Sequence, residues 1–152
     1  MAKPFTQKNK SFIPIGWREW VIFPEHDDFP VKAKIDTGAR SSALHATHIK
    51  EYYNEGILRI KFRVYQAREF LYLDRKIIDY KNIKNSFGDS EKRPVIQMKI
   101  KIGNSIWKTD ITLTRRTRMV YPMLIGRNSL TKKHVIHSHR SYLTGNINKN
   151  SL

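Results

Sequence analysis

The chain has no cysteine among its 152 residues. That excludes a disulfide framework, a thiol nucleophile, an iron–sulfur cluster and any cysteine-based zinc ribbon. No apolar run approaches the roughly 18 residues of a membrane-spanning helix. The polar stretch Met1 to Ser11, dotted with Lys3, Lys8 and Lys10, has no apolar core of signal-peptide length. A cytoplasmic protein with no membrane partner is therefore expected. Glycine is sparse at seven, and none is followed by lysine, so there is no GxxxxGK[ST] phosphate loop. None of the six histidines sits in an HExxH pattern. Acidic residues are scarce too: 13 Asp and Glu stand against 29 Lys and Arg, a formal net charge of +16. The residues from Ile77 to Leu152 carry +11 of it. Such a balance predicts an acidic partner, whether nucleic acid, a ribosomal surface, anionic lipid or an acidic peptide.

What is present fits one globular domain. The hydrophobic share of 39% and the aromatic share of 11% suffice for a core without staples. Met1 to Ser11 reads as a flexible lead, residues 12–145 as the domain, and Asn146 to Leu152 as a frayed tail. Most of the interior reads as strand. Trp17 to Phe23, Val31 to Ile35, Ile57 to Tyr65, Glu69 to Tyr80, Val95 to Ile102, Ser105 to Thr114 and Met119 to Ile125 are β-branched, aromatic or alternating. In Ile57 to Tyr65 the apolar set Leu58, Ile60, Phe62 and Val64 marks the core-facing side. Gly103-Asn104 is a hairpin turn signal. Asn82 to Ser90 reads as a polar loop. Only Asn128 to Lys133 and Ser42 to Ile49 suggest short helices. Many short strands separated by turns predict an all-β sandwich or barrel.

Two segments could carry chemistry. Asp36-Thr37-Gly38-Ala39 follows directly on the Val31–Ile35 strand. Its glycine allows a tight turn and close backbone approach. Its threonine hydroxyl can bond backbone across a loop or an interface, and its aspartate is presented among amide donors. An ordinary turn would use the same residue types. The second segment, Tyr121 to Leu130, is an apolar strand through Leu124 and Ile125 that ends in Gly126, followed by Arg127-Asn128-Ser129.

In this order the two segments resemble the retropepsin-like aspartic peptidases. There a strand enters Asp-Thr/Ser-Gly-Ala, and a later strand of two apolar residues and a glycine crosses beneath it. A bacterial subfamily is more similar still, through Gly16-Trp17-Arg18-Glu19-Trp20, Lys32 to Ala46, Arg93 to Ile96, Met123 to Arg127 and Arg140 to Gly145. Its members are often labelled ATP-dependent zinc proteases and are associated with RimK-type glutamate ligases that modify a ribosomal protein. The resemblance spans Gly16 to Gly145. It implies an acid-protease-like closed barrel of one lobe. It also implies catalysis by Asp36, with Thr37 bracing the turn and Gly38 shaping it, supported by Ala39, Arg40, Leu124, Ile125, Gly126 and Arg127.

The residues favour the aspartic chemistry over the zinc and ATP label. His45 and His48 stand three apart with no glutamate between them, and His137 and His139 would share a face if both lay on one strand. No metal and no cofactor are expected. A shared-proton mechanism needs two carboxylates, and one chain holds one Asp-Thr-Gly, so a homodimer is expected. Two departures from the viral members stand out. Arg40-Ser41-Ser42 replaces the acidic residues that would pair Arg127, and it adds positive charge close to Asp36 in sequence. A glycine-rich flap is missing; Asn85 to Ser90 is the nearest candidate and reads equally as a plain loop. The substrate is expected to be a peptide or protein, acidic or ribosomal, met by a basic surface that includes Arg115, Arg116 and Arg118. That basic run reads better as a charge-guarded edge strand than as a nucleic-acid site. The alternative to a peptidase is a non-catalytic module of the same fold that binds an acidic protein tail or RNA.

Overall fold

In a computed structural model of the chain, residues 11–84, 87–115 and 120–147 are described. Twelve strands and one short 3-10 turn make up these residues. They are β1 (Ile13–Gly16), β2 (Arg18–Phe23), β3 (Phe29–Ile35), β4 (Ser42–His45), β5 (Thr47–Asn54), β6 (Ile57–Gln66), β7 (Glu69–Lys76), β8 (Asp79–Lys84), β9 (Ser90–Ile102), β10 (Ser105–Thr114), β11 (Met123–Ile125), the 3-10 turn Arg127–Ser129, and β12 (His134–His137). The all-β expectation therefore holds.

The main sheet runs β10-β4-β11-β3-β2-β9-β8, and β9 also pairs with β10. At thirteen residues, β9 is long enough to serve several partners. One edge pairs with β10 from Val95 to Ile102, and β8 pairs with it over Ser90 to Val95. It meets β2 through Lys101 opposite Ile22. Six strands thus close a ring, with β8 extending beyond it. Closure removes most of the free edges that would otherwise invite aggregation. Inside lie Val21, Phe23, Val31, Ile96, Ile100, Ile111 and Met123, all fully buried.

A separate three-stranded antiparallel sheet, β5-β6-β7, leans on this ring. Ile60, Phe62 and Val64 of β6 are fully buried, as the alternation requires. β1 pairs parallel with β12. The Gly103-Asn104 turn joins β9 to β10, with Ile102 opposite Ser105 and Gly103 at φ +60°.

Several boundaries differ from expectation. Ser42 to Ile49 is not helical: it forms β4 and the start of β5. Ala43 and Leu44 are both buried between β10 and β11, and sheet pairing overrides local helix preference there. Asn128 to Lys133 yields only the single 3-10 turn. The last barrel strand begins at Met123, not Met119; Val120 is exposed, and Met119 lies outside the described residues. The Glu69 to Tyr80 run splits at Ile77, which is buried, and Ile78, which is exposed. The loop expected over Asn82 to Ser90 shrinks, because β8 runs to Lys84 and β9 starts at Ser90. Among the described residues no helix is long and apolar enough to cross a membrane.

Candidate active site

The Asp36 turn hangs between β3 and β4, and β11 passes between these two strands. It runs parallel to β3, with Ile125 opposite Ile35, and antiparallel to β4, with Leu124 opposite Ala43. This crossing ties the two candidate segments together. The Asp36 N–H donates to the Ile125 carbonyl at 2.8 Å, the Arg127 N–H to Ala39 O at 2.9 Å, and the Asn128 N–H to Arg40 O at 3.0 Å. Within the turn, the Gly38 N–H donates to Asp36 Oδ1 at 3.1 Å. Asp36 is half-buried, while Thr37 and Gly38 are exposed. Among the described residues, Asp36 Oδ2 and the Thr37 hydroxyl make no hydrogen bond.

Gly126 earns its place by close approach. A Cβ there would lie 2.5 Å from both the carbonyl carbon and the oxygen of Ser41. Arg127, deprived of an acidic partner by the sequence, donates from Nη1 to the Thr37 carbonyl at 2.7 Å. The guanidinium thus braces the turn through backbone. Arg40 is exposed and forms no ion pair with Asp36. Leu124 is half-buried and Ile125 fully buried.

Sequence reasoning missed the buried hydroxyls beneath the turn. Ser42 Oγ accepts from the Gly126 N–H at 3.0 Å and lies 2.5 Å from Ser129 Oγ, which is 2.6 Å from Thr109 Oγ1. The Thr112 hydroxyl donates to Ser42 O at 2.9 Å, and Asn128 Oδ1 accepts from the Ser42 N–H at 3.2 Å. Every one of these polar groups has a partner, so the network stiffens the turn at little desolvation cost. The only sequence signal was serine and asparagine next to each motif.

Beside the turn opens a cleft of about 690 Å³. Ala39, Arg40, Ser41 and Leu124 line one wall, and Lys81, Lys84 and Arg93 of the β8–β9 hairpin line the other. Asp36 itself does not line it. No carboxylate lines it either, although Glu91 accepts from Arg93 Nε at 2.9 Å. Lys81 Nζ reaches Ser41 Oγ at 3.5 Å, joining the hairpin to the segment after the turn. The β8–β9 hairpin therefore faces the segment after the turn across this cleft. Of the candidate stretch Asn85 to Ser90, Asn85 and Ser86 lie outside the described residues, Phe87 is 90% exposed, and Ser90 opens β9. Of the basic run, Arg115 is exposed, and Arg116 and Arg118 lie outside the described residues.

The histidines do not gather. Among the described residues, no three His, Asp or Glu side chains sit together as a metal site would require. β12 ends at His137, so His137 and His139 do not share a strand, and their ring centroids are 6.4 Å apart.

The two end motifs meet beside the base of the turn, where the Ile35 N–H donates to Trp17 O at 2.8 Å. The Trp17 N–H donates to Arg140 O, the Tyr142 N–H to Arg18 O, and Arg18 Nε to Ser141 Oγ. Fully buried Glu19 accepts from the N–H groups of Gly16, Leu143 and Thr144 and from the Thr144 hydroxyl.

An all-β ring with an Asp-Thr-Gly turn laced to a crossing strand defines a retropepsin-like protein. The chain belongs to the RimB-like family, described as retropepsin-like aspartic endopeptidase RimB, whose model matches residues 14–146. A Shewanella pealeana protein named probable alpha-L-glutamate ligase is 36% identical over 135 residues, covering 86% of this chain and 30% of that protein. A Desulfotalea psychrophila protein of the same name is 34% identical over 142 residues, 91% of this chain and 31% of that one. The chain thus spans about 30% of the length of these curated relatives. Among solved structures, the Legionella pneumophila protein Lpg0085, of unknown function, is similar with a TM-score of 0.73 and 26% identity. That match covers 86% of this chain and 97% of the other.

Proposed function

We propose that the protein is an aspartic endopeptidase that works as a homodimer and hydrolyses peptide bonds in an acidic, glutamate-rich protein tail. The observation that carries this reading is the Asp36 turn. It is held at its base by Ile125, Arg127 and Asn128, yet it leaves one carboxylate oxygen and the Thr37 hydroxyl without a hydrogen bond among the described residues. A second copy related by a two-fold axis would supply both. Two Asp36 carboxylates a few ångströms apart cannot both ionise cheaply, so the pair would share one proton. The ionised member would take a proton from a water held between them, and the resulting hydroxide would attack the scissile carbonyl carbon. The protonated member would give its proton to the carbonyl oxygen. Collapse of the tetrahedral species would break the C–N bond as the amine takes a proton from the protonated carboxyl and one hydroxyl returns a proton to the other carboxylate, restoring the singly protonated pair.

Two features favour an acidic substrate. The cleft beside the turn presents Arg40, Lys81, Lys84 and Arg93 with no carboxylate in its lining. The ligase-named relatives, similar to this chain over about 30% of their length, point to glutamyl peptides as the acidic class. The test is cleavage of a glutamate-rich peptide by the native protein and by Asp36→Asn, with light scattering for the assembly state. The amide is nearly isosteric but can neither act as base nor share the proton. Loss of cleavage with fold and dimer intact is the expected result. A strict monomer, or unchanged cleavage in the variant, would sink the mechanism and leave the fold as a binding module.

A further inference from the structure

The sheet β5-β6-β7 has one side against the core and the other without a covering strand among the described residues. On that outer side β6 places Arg59, Lys61, Arg63 and Tyr65, alternating with the buried Ile60, Phe62 and Val64. The register brings Lys50 and Tyr52 of β5 to the same side, opposite Lys61 and Arg59. β7 adds Phe70, Tyr72, Asp74 and Lys76, opposite Tyr65, Arg63, Lys61 and Arg59. Five cations thus share one face with a single carboxylate, Asp74. That carboxylate is already engaged, by Arg59 Nε at 3.0 Å and by the Tyr52 hydroxyl.

Of the other four, Lys61 stands opposite Asp74 and shares its field, and none forms an ion pair among the described residues. Lys61 Nζ lies 4.8 Å from the Tyr52 ring centroid, and the Arg63 guanidinium 4.6 Å from that of Phe70. Tyr65 and Phe70 lie with centroids 5.3 Å apart. Tyr72 is 54% exposed and Phe70 48%. Tyr72 has no hydrogen-bond partner among the described residues. Sheet propensity alone accounts for aromatic residues in strands. It does not account for their interleaving with four cations that form no ion pair among the described residues.

We propose that this face binds single-stranded nucleic acid. The backbone phosphates would be met by Lys50, Lys61, Arg63 and Lys76, and unstacked bases would lie on the exposed rings, Tyr72 first. Cationic tracks with aromatic platforms are the physical requirement for such ligands, because every base offers a π-face and every nucleotide a negative charge. An acidic protein would meet the cations but would leave the rings unused. The site stands apart from the proposed peptidase site, since no residue of this sheet lines the cleft beside the Asp36 turn.

The experiment is fluorescence anisotropy of the whole protein with labelled oligouridylate and oligothymidylate across a salt series. Four phosphate contacts predict a slope of log K against log salt near about −3, and Lys61→Gln should flatten it by about 0.7. Tyr72→Ala should weaken binding roughly five- to a hundred-fold, whereas Tyr72→Phe, which keeps the ring, should retain it. Circular dichroism and melting of each variant show that the fold is kept. Asp36→Asn should bind as the native protein does. The proposal is overturned by absence of binding at low salt, or by equal affinity for an oligoglutamate probe with no loss in Tyr72→Ala. Preference for duplex DNA over single strands would overturn it as well.

Discussion

Replacing Gly126 with alanine tests whether the crossing of β11 beneath the turn positions Asp36. Gly126 has φ −87° and ψ 172°, a conformation open to any residue, so backbone strain plays no part. The obstacle is steric. The new Cβ would sit 2.5 Å from the Ser41 carbonyl carbon and oxygen and 2.9 Å from its nitrogen. Ordinary contact begins at 3.4 Å, so β11 and the segment after the turn must separate by about 0.9 Å. Both partners are backbone, which cannot swing aside as a side chain would. Three hydrogen bonds lie across this gap: Gly126 N–H to Ser42 Oγ at 3.0 Å, Arg127 N–H to Ala39 O at 2.9 Å, and Asn128 N–H to Arg40 O at 3.0 Å. A shift of that size would carry them past the range of real hydrogen bonds. Overpacking costs about 1–3 kcal/mol and each of the three weakened bonds about 1 kcal/mol, so a loss of roughly 4–6 kcal/mol is expected. Urea denaturation measures it. Gly56→Ala is the control: Gly56 sits at φ +78° with nothing within 4 Å, so its cost is conformational only, about 1–2 kcal/mol. At the site, a displacement near 1 Å should cut peptide cleavage by about a hundredfold in whatever folded protein remains. A Gly126→Ala protein within about 1 kcal/mol of the native one, or less destabilised than Gly56→Ala, would refute the argument.

Further expectations follow from the same geometry. Glu19→Gln keeps the side chain's size but turns one acceptor into a donor facing N–H groups; it should cost roughly 2–3 kcal/mol and raise hydrogen exchange at Leu143 and Thr144, and unchanged exchange there would contradict the clamp. Burial lowers the pKa of His134 and His45, and burial followed by the Arg75 guanidinium lowers that of His26, so all three are held neutral in the fold. Their contribution is complete above the ordinary value of 6.5 and fades as pH falls below it, so the urea midpoint should drop between pH 7 and pH 5, with a shallower drop in His134→Gln; a flat profile would count against this. Elemental analysis of protein purified without a histidine tag should find well under one equivalent of zinc, and one equivalent surviving dialysis would overturn the metal-free reading.

The strands were legible where alternation is strong. Ile57 to Tyr65 declares its buried face in every second residue, and Gly103-Asn104 declares its hairpin. The Asp36 turn and the β11 segment were legible as motifs, because close backbone approach restricts residue choice to glycine at Gly126. The supporting chemistry was not legible. Ser42 meets Ser129 across 87 positions, and Thr109 and Thr112 join them from β10, a convergence that only the barrel's pairing creates. Nor could β4 be read as strand, since its two neighbours, β10 and β11, are both distant in sequence. The wall formed by Lys81, Lys84 and Arg93 was hidden for the same reason. In the sequence those residues look like surface charge; the β8–β9 hairpin brings them to the cleft beside the turn.

The exchange of an acidic partner for a carbonyl around Arg127 bears on what the turn can do. An arginine paired with a carboxylate after the turn would neutralise itself locally. Here the guanidinium donates to Thr37 O instead, so its positive charge is not cancelled by an acid beside it. Arg40 and the cations of the cleft wall add to the same field, and low water access in a cleft strengthens it. A substrate with carboxylate side chains would be drawn in, and a neutral peptide would gain nothing. Lys81→Gln should therefore raise KM for a glutamate-rich peptide while leaving kcat nearly unchanged, because Lys81 lies on the hairpin wall and touches Ser41, not Asp36. The effect should shrink as salt rises, since screening weakens the same attraction in the native protein. Equal KM values for glutamate-rich and neutral peptides in the native protein would break the link between the basic cleft and substrate choice.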